Sequence, residues 1–270
     1  MQELLTPSQM AVADRTAIES GTPGIDLMEA AGQVLFETVE KHFSKALRIL
    51  VVCGPGNNGG DGYVVAGLLH QQNRQVAVYS PLGTEKLSGD AKLAFQRLPG
   101  DIKQVENPDY DSADLIIDAL FGAGLSKDIT GKLAKVIEQI NDAPADVLAV
   151  DLPSGINGET GAVCGIAIEA TVSATFFRYK PGHFLFPGRQ HCGCLEVGQI
   201  GIGDSVLPMI GVQTFRNGTS LWRNCFPSQS AAQHKYSRGH TLAVSGDLMM
   251  SGAARLMASA ALRIGSELRA

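Results

Sequence analysis

The chain has 270 residues and a formal net charge of −5, and 44% of its residues are apolar while 18% are charged. This apolar share can fill the core of one large domain or two smaller ones, and it excludes an intrinsically disordered chain. The acidic balance disfavours nucleic acid as a partner, because proteins that bind nucleic acid need a basic surface.

The cysteine count and the N-terminal sequence indicate in which cellular compartment the protein is expected. Five cysteines, an odd number, do not form the paired framework of a small secreted protein. Cys192 and Cys194 form a single C-x-C without a second pair, so no zinc site is expected. The N-terminus lacks the apolar core of a secretory signal, and no apolar stretch reaches the ~20 residues that cross a bilayer. We therefore expect a cytoplasmic protein without a membrane partner.

Two helices are expected before the first strand. The segment Thr6–Gln9 has the sequence TPSQ, a capping box with Pro7 at the first helical position, and it predicts a helix that runs to about Ser20. A second start signal lies at Asp26, and apolar residues recur behind it at helical spacing.

Apolar runs then alternate with segments of helical periodicity. Continuous apolar runs are typical of strands that are covered on both faces, and their alternation with helices predicts a parallel sheet wound on both faces, an α/β fold. The expected strands are 48–53, 75–80, 114–120, 147–153, 170–177 and 194–202, and the helices between the first four are 61–73, 88–98 and 131–142.

The composition changes near residue 220. A polar, turn-forming stretch is followed by a short predicted strand at 241–247 and an apolar predicted helix at 251–265. One strand and one helix cannot bury a core by themselves. We therefore expect a main domain over 1–220, with 221–270 as a linker and the incomplete start of a second domain.

A glycine-rich loop, GPGNNGGDG, occupies Gly54–Gly62 between the first predicted strand and the following helix. Backbone N–H groups in such a loop face a ligand, although the glycines could also serve only a tight turn. A dinucleotide-binding loop requires an acidic residue about 20 positions further on, but the second strand ends in VAVYS without one. The absence of this acid argues against a dehydrogenase or a methyltransferase.

Three aspartates accompany glycine-containing loops. Asp61 follows the asparagine pair, while Asp118 and Asp151 lie at the ends of apolar strands. Because the carboxyl ends of parallel strands form the ligand crevice, the three acids are expected to converge there. Each also has a structural alternative: Asp61 could cap a helix, Asp118 could bind backbone N–H groups, and Asp151 could brace the turn before Pro153.

The oxygen-bearing side chains at these loops suit a cation of low charge density better than zinc. Asn58, Asp118 and Ser154 offer such ligands. His183 and His191 are expected to have structural roles. No G-x-S-x-G elbow surrounds Ser154, which disfavours a serine hydrolase.

These segments together resemble the YjeF N-terminal family, the NAD(P)H-hydrate epimerases, from about Thr6 to Asp204. The resemblance implies a Rossmann-like three-layer α/β/α sandwich with a mostly parallel sheet, often found as a homodimer. It also implies interconversion of the R and S epimers of hydrated NADH and NADPH at C6 of the nicotinamide ring. The segments that carry it are VVCGPGNNGGDGYVVAGLL, DLIIDALFGAGL, VLAVDLPSGINGETG, ATVSATFFRYKPGHFLFPGR and CGCLEVGQIGIG.

The resemblance also implies site residues. Asn58, Asp118 and Ser154 would hold one potassium ion, and Lys127 could serve as a cation for phosphate. The implied substrate-binding residues are Asn57, Asn58, Gly59, Gly60, Asp61, Gly122, Ala123, Gly124, Leu125, Ser126, Lys127, Asp128 and Asp151.

The C-terminal segment HKYSRGHTLAVSGDLMMSGAARLMASAALR is similar to the opening of an ADP-dependent NAD(P)H-hydrate dehydratase domain, which is ribokinase-like and often fused to the epimerase. The nucleotide loop and catalytic region of that domain are missing from the sequence, so no dehydratase activity is expected.

Epimerisation needs an acid to protonate the departing hydroxyl and an anion beside the iminium that forms. Asp151 is the first candidate for both roles, on the expectation that burial raises its pKa toward neutrality, and Asp61 is the rival. The alternative function is a non-catalytic nucleotide-binding or scaffold domain of the same fold.

Overall fold

The computed structural model describes residues 3–225, 239–247 and 251–269, and it describes the backbone alone for the last three. The chain divides into two compact units, Met1–Arg216 and Asn217–Ala270. Each unit is described by itself. Among the described helices, none combines the length and apolar character that a membrane crossing needs.

The first unit alternates strands with helices over most of its length. In chain order its elements are β1 (Glu3–Leu4), α1 (Pro7–Glu19), α2 (Gly24–His42), β2 (Arg48–Cys53), α3 (Asn57–Gln71), β3 (Gln75–Tyr79), α4 (Gly89–Gln96), β4 (Lys103–Val105), β5 (Leu115–Ala119), α5 (Lys132–Asp142), β6 (Asp146–Val150), β7 (Val172–Phe176), α6 (Gly188–His191), β8 (Cys194–Gly198), α7 (Leu207–Ile210) and β9 (Thr214–Phe215).

Seven strands form one parallel sheet in the order β4-β3-β2-β5-β6-β7-β8. The chain adds strands to one side as far as β4 and then returns to the other side of β2 with β5. This reversal between β2 and β5 is the point at which sheets of this kind bind ligands. The predicted α/β class with a mostly parallel sheet is confirmed.

The two faces of the sheet are covered by different helices. Alternate strand residues such as Val51 and Ile117 pack in one buried cluster with apolar residues of α1 to α4. Their neighbours Val52 and Ile116 pack on the other side with α5, for example with Ile137. The sheet is therefore the middle of three layers, and its strands are continuously apolar because both faces are buried.

Several predicted boundaries agree closely with the structure. The Thr6 hydroxyl accepts the Gln9 N–H, the Gln9 side chain accepts the Thr6 N–H, and α1 ends at Glu19. The second helix begins at Gly24, slightly before the expected start, so that Asp26 lies in its first turn.

One predicted boundary was wrong in a way that matters for the site. Helix α3 was expected from residue 61 but begins at Asn57, so Asp61 lies within the helix and does not cap it. The short pairing of β1 with β9 and the three-residue edge strand β4 were also missed. Such short elements carry too few residues for a periodic signal.

Glycines let α3 approach the loop that precedes it. A Cβ at Gly59 would collide with the Gly54 carbonyl oxygen, whereas a Cβ at Gly56 would meet no atom within 4 Å. We expect Gly59→Ala to lower the free energy of unfolding by about 1–3 kcal/mol, because backbone atoms must move apart. The matched control Gly56→Ala should change it by less than about 0.5 kcal/mol. Urea unfolding measures both, and equal effects would contradict the close approach.

The second unit contains α8 (Thr219–Trp222), β10 (His240–Leu242), α9 (Gly252–Ile264) and β11 (Glu267–Arg269). Strands β10 and β11 pair in parallel, and α9 lies between them in sequence. The expected strand at 241–247 is shorter and the expected helix at 251–265 is present. Most of the polar stretch expected as a linker lies outside the described residues.

Candidate active site at the carboxyl ends of the strands

A cleft of about 690 Å³ lies beside the carboxyl ends of β2, β5 and β6, with residues of α1 and α2 on its other wall. It brings together loops that are far apart in sequence, as expected from the parallel sheet. The predicted residues that line it are Asn57, Asn58, Asp61, Gly122, Ala123, Gly124, Leu125, Ser126, Lys127 and Asp151.

Three of the predicted substrate-binding residues do not line this cleft. Gly59 and Gly60 are buried in α3, where the first packs against Gly54 and the second against Met28. Asp128 is exposed and lies near Gly165, after the loop has left the cleft. The two glycines therefore serve close packing of the helix.

The turn Leu120–Gly122 gathers the three predicted cation ligands. Ser154 Oγ lies 2.6 Å from Asp118 Oδ1 and accepts a hydrogen bond from the Phe121 N–H. Asn58 lies against the same turn, since its Oδ1 would be 3.0 Å from a Cβ placed on Gly122.

Asp118 is fully buried and has only neutral donors as described hydrogen-bond partners, namely the Ser154 N–H and hydroxyl and the Leu120 N–H. Burial raises its pKa to about 6, although these three hydrogen bonds act in the opposite direction. A buried carboxylate without a cationic partner is unfavourable, so this environment would accept a positive ion.

The Phe121 carbonyl and the orientation of the Asn58 amide also bear on cation binding at this turn. The Phe121 carbonyl oxygen lies 3.2 Å from Ser154 Oγ and is a further oxygen atom at this turn, which the sequence did not single out. Asn58 Nδ2 is buried without an acceptor among the described residues. Turning this amide by 180° exchanges the nitrogen for an oxygen, which is a cation ligand. The donor set is then oxygen throughout, which suits a hard cation.

The pKa of Asp151 is shifted in the direction opposite to the one expected from the sequence. Burial alone raises the pKa of this carboxyl, but the ammonium of Lys180, 2.6 Å from Oδ1, outweighs it and the pKa falls to about 2. Thr175 Oγ1 also donates to Oδ1, and the Ala123 N–H donates to Oδ2. The expectation that burial leaves Asp151 with a raised pKa was wrong, because a buried lysine pairs with it.

His183 holds the backbone around this ion pair. Its Nδ1 accepts the Lys180 N–H at 2.9 Å, so its Nε2–H donates to the Asp151 carbonyl oxygen at 2.8 Å. Burial, aided by the charge of Lys180, lowers the pKa of His183 to about 4, so the ring is neutral. Asp151 has φ 63°, an unusual conformation for a residue with a side chain, and this hydrogen bond fixes it. The predicted structural role of His183 agrees with these contacts.

Asp61 and Asp14 are two further acids of the cleft, and neither has an ion pair among the described residues. Asp61 is 9% exposed, and burial raises its pKa well above the usual value, with further increases from the charges of Asp151 and Asp14. Asp14 lies on α1, and burial raises its pKa to about 6, while Lys180 acts to lower it. The cleft therefore holds two acids that keep a proton more readily than Asp151 does.

Lys180 and Asp14 were missed from the sequence. Lys180 follows the strand β7 closely in the segment RYKPGH, so a charged residue beside an apolar strand end was an available signal. Asp14 gave no signal, because it has the ordinary helical surroundings of α1 and only the packing of that helix turns it into the cleft.

A parallel α/β sheet with a charged cleft at its reversal point is the arrangement in which proteins of this fold class bind small-molecule ligands. The family model described as YjeF-related protein N-terminus matches residues 24–182. The chain belongs to this family.

Relatives in the curated proteins agree with this membership. The chain is 37% identical over 199 residues to the NAD(P)H-hydrate epimerase of Limosilactobacillus fermentum, with 71% of this chain and 94% of that protein covered. It is 38% identical over 283 residues to the bifunctional NAD(P)H-hydrate repair enzyme Nnr of Moorella thermoacetica, with 98% of this chain and 53% of that protein covered. The chain thus spans about half the length of the bifunctional relatives that it matches.

A solved structure supports the fold. The crystal structure of yeast ynu0, YNL200c, superposes with a TM-score of 0.67 at 21% identity, and the match covers 80% of this chain and 96% of the yeast chain. This neighbour supports the Rossmann-like architecture.

Proposed function

We propose that the chain is an NAD(P)H-hydrate epimerase, an isomerase that interconverts the R and S forms of hydrated NADH and NADPH at C6. The relative from Limosilactobacillus fermentum carries this name and is covered almost throughout by the match. The single structural observation that carries the proposal is the placement, in one cleft, of Asp151 paired with Lys180 and of a buried Asp61 that has no described ion pair.

The chemistry requires the C6–O bond to break. The ring nitrogen supplies an electron pair to form an iminium, and the departing oxygen takes a proton and leaves as water. Asp61, whose pKa is raised by burial and by the charges of Asp151 and Asp14, is our candidate donor. When water returns to the opposite face of C6, it loses a proton to a second carboxylate on that face, so that atoms and charges balance.

The cation formed in this step needs an anion close by. Asp151 is held ionised by Lys180 and is oriented by hydrogen bonds from Thr175 and Ala123. A fixed carboxylate stabilises positive charge without reorganisation. We therefore assign Asp151 to electrostatic stabilisation and Asp61 to proton transfer.

The two epimers carry their hydroxyl groups on opposite faces of the ring, so one acid cannot reach both in the same pose. Asp14 reaches the cleft from α1, while Asp61 reaches it from α3. We assign Asp14 as the second acid–base group, which accepts the proton of the returning water in one direction of the exchange and protonates the departing hydroxyl in the other. Its pKa of about 6 lies near a working pH, as general acid catalysis prefers.

The nucleotide part of the substrate has candidate contacts as well. Helix α3 begins without a side-chain cap, and its first turn lines the cleft at Asn57 and Asn58. Free N–H groups and the helix dipole favour phosphate at such an end. Lys127 adds a positive charge on the loop across the cleft.

The residues at the turn Leu120–Gly122 fit one potassium ion, with Asn58, Asp118, Ser154 and the Phe121 carbonyl as ligands. When bound, the ion would compensate the buried charge of Asp118 and keep this turn in place. This segment also positions the following residue, Ala123, whose N–H donates a hydrogen bond to the Asp151 carboxylate.

We expect the cation to be measurable through stability. At a potassium concentration of about 100 times Kd, the wild-type chain should gain about 2.7 kcal/mol over its value in sodium, because the ion binds only the folded state. Asp118→Asn should lose this gain and match or exceed the wild type in sodium, since it removes a buried charge. Thermal unfolding in the two salts is the measurement. Asp128→Asn is the control, and a gain retained by Asp118→Asn would remove Asp118 from the site.

The function is tested by chiral chromatography of hydrated NADH enriched in one epimer, with and without the protein. Acceleration of R/S exchange is expected in potassium. Binding of the compound without any acceleration would instead favour the non-catalytic nucleotide-binding or scaffold domain.

A homodimeric state and a cytoplasmic location stay predictions, as does the absence of dehydratase activity.

A further inference from the structure

A second cluster of chemically active side chains lies outside the cleft, at the edge strand β8. Cys194 and Glu196 are two positions apart on this strand, so their side chains point to the same face. His42, the last residue of α2, packs against them. One ligand atom from each of His42, Cys194 and Glu196 lies within 4.8 Å of the others.

The donors are the set that zinc prefers. Imidazole nitrogen, thiolate sulfur and carboxylate oxygen bind Zn²⁺ at about 2.0–2.3 Å, so tetrahedral ligand atoms lie about 3.3–3.8 Å apart. His42 Nε2 and Glu196 Oε1 are 2.8 Å apart, and the Cys194 sulfur lies within 4.8 Å of a ligand atom of each of these two residues. Small side-chain rotations reach the metal-bound spacing, because the side chains of His42 and Glu196 are 24% and 26% exposed and Cys194 is exposed.

The cluster of His42, Cys194 and Glu196 already has a positively charged side chain beside it. The Lys41 ammonium lies 2.7 Å from Glu196 Oε1, and the hydrogen bond between them raises the pKa of Lys41 and lowers the pKa of Glu196. The C-terminus of α2 adds partial negative charge at the same place. The Lys41 side chain is 62% exposed, so it can leave for water when another cation arrives.

We propose that His42, Cys194 and Glu196 form a zinc site with three protein ligands and a fourth position for water. Cys194 belongs to the C-x-C that predicts no zinc site on its own. The sequence gives no second cysteine pair, but the fold supplies the missing ligands from α2 and from the next residue on the same face of β8. This site is independent of the proposed epimerase function.

Cobalt(II) reports on such a site, since thiolate ligation gives a near-ultraviolet charge-transfer band and tetrahedral geometry gives visible bands. The reduced, chelator-treated full chain should bind one Co²⁺ with both sets of bands, and Zn²⁺ should displace it. Cys194→Ser should lose the charge-transfer band, while Cys225→Ser, which removes another exposed thiol, should keep it.

The other ligands give graded effects. His42→Gln and Glu196→Gln should each weaken Co²⁺ binding at least about tenfold. Lys41→Met should tighten it, because the variant removes the competing ammonium. Circular dichroism checks that each variant is folded. The proposal is overturned if the wild-type chain shows no charge-transfer band, or if Cys194→Ser keeps it.

Discussion

Replacing Asp61 by asparagine should lower the rate of R/S exchange by about 10²- to 10⁴-fold, the contribution of a positioned general acid. The substitution keeps the size of the side chain and removes only its transferable proton. Asp61 has no described hydrogen bond that asparagine would break, and 9% of it is exposed. Substrate binding should therefore change much less than the rate, and chiral chromatography with a binding titration separates the two.

The same variant has an expected effect on stability with pH. The folded-state pKa of Asp61 is raised, so the folded protein binds more protons than the unfolded chain above pH about 4. Stability contributed by this group is therefore full below its unfolded pKa and is lost as pH rises through the folded pKa. Asp61→Asn should show a smaller loss of stability on raising pH than the wild type.

The control for both the exchange rate and the pH dependence of stability is Asp90→Asn, because Asp90 is another acid that lines the cleft. Full exchange activity in Asp61→Asn would transfer the proton donor to Asp14.

Replacing Lys180 by methionine should lower the free energy of unfolding by about 3–5 kcal/mol, because it leaves the buried Asp151 carboxylate without its partner. The Lys180 side chain is 3% exposed and that of Asp151 is 15% exposed, so water in the cleft replaces the lost contact only in part. Exchange activity should fall as well, since without Lys180 the carboxylate favours its neutral form. Urea unfolding at neutral pH measures the first effect.

A double variant distinguishes the effect of the unpaired Asp151 charge from the effect of lost packing around Lys180. Lys180→Met combined with Asp151→Asn removes both charges, and it should be more stable than Lys180→Met alone. Lys41→Met is the surface control, because its ion pair with Glu196 is exposed to solvent and its loss should not measurably change stability. If the double variant proved as unstable as the single one, lost packing and not the unpaired charge would be the cause.

The ion pair also fixes a pH dependence at the acid end. The pKa of Asp151 is lowered from 3.8 to about 2 in the folded protein. Its stabilising contribution is present above pH about 4 and is lost as pH falls toward 2. This dependence should be missing from the double variant.

The positions of the main strands and of the cleft could be predicted because they depend on local patterns. Apolar runs such as 48–53 predict strands, and parallel strands place Asp118 and Asp151 at one edge. The protonation states could not be predicted in the same way. Asp151 follows an apolar strand and Asp61 follows the glycine-rich loop, and little of either side chain is exposed, but Lys180 forms an ion pair only with Asp151 among the described contacts.

The wrong expectation for Asp151 has a simple physical origin. Burial raises the pKa of a carboxyl, whereas a nearby ammonium lowers it, and only the fold decides which effect dominates. Lys180 is 29 residues away from Asp151 in the sequence, and the turn around His183 brings it back.

Helix α1, Pro7–Glu19, carries Asp14 and precedes the residues 24–182 that the family model matches. Members that agree throughout the matched region could therefore carry different residues at this position. Under the role that we propose for Asp14, natural variation at this position would move the optimum pH of R/S exchange, and swapping this helix between relatives would move their pH profiles with it.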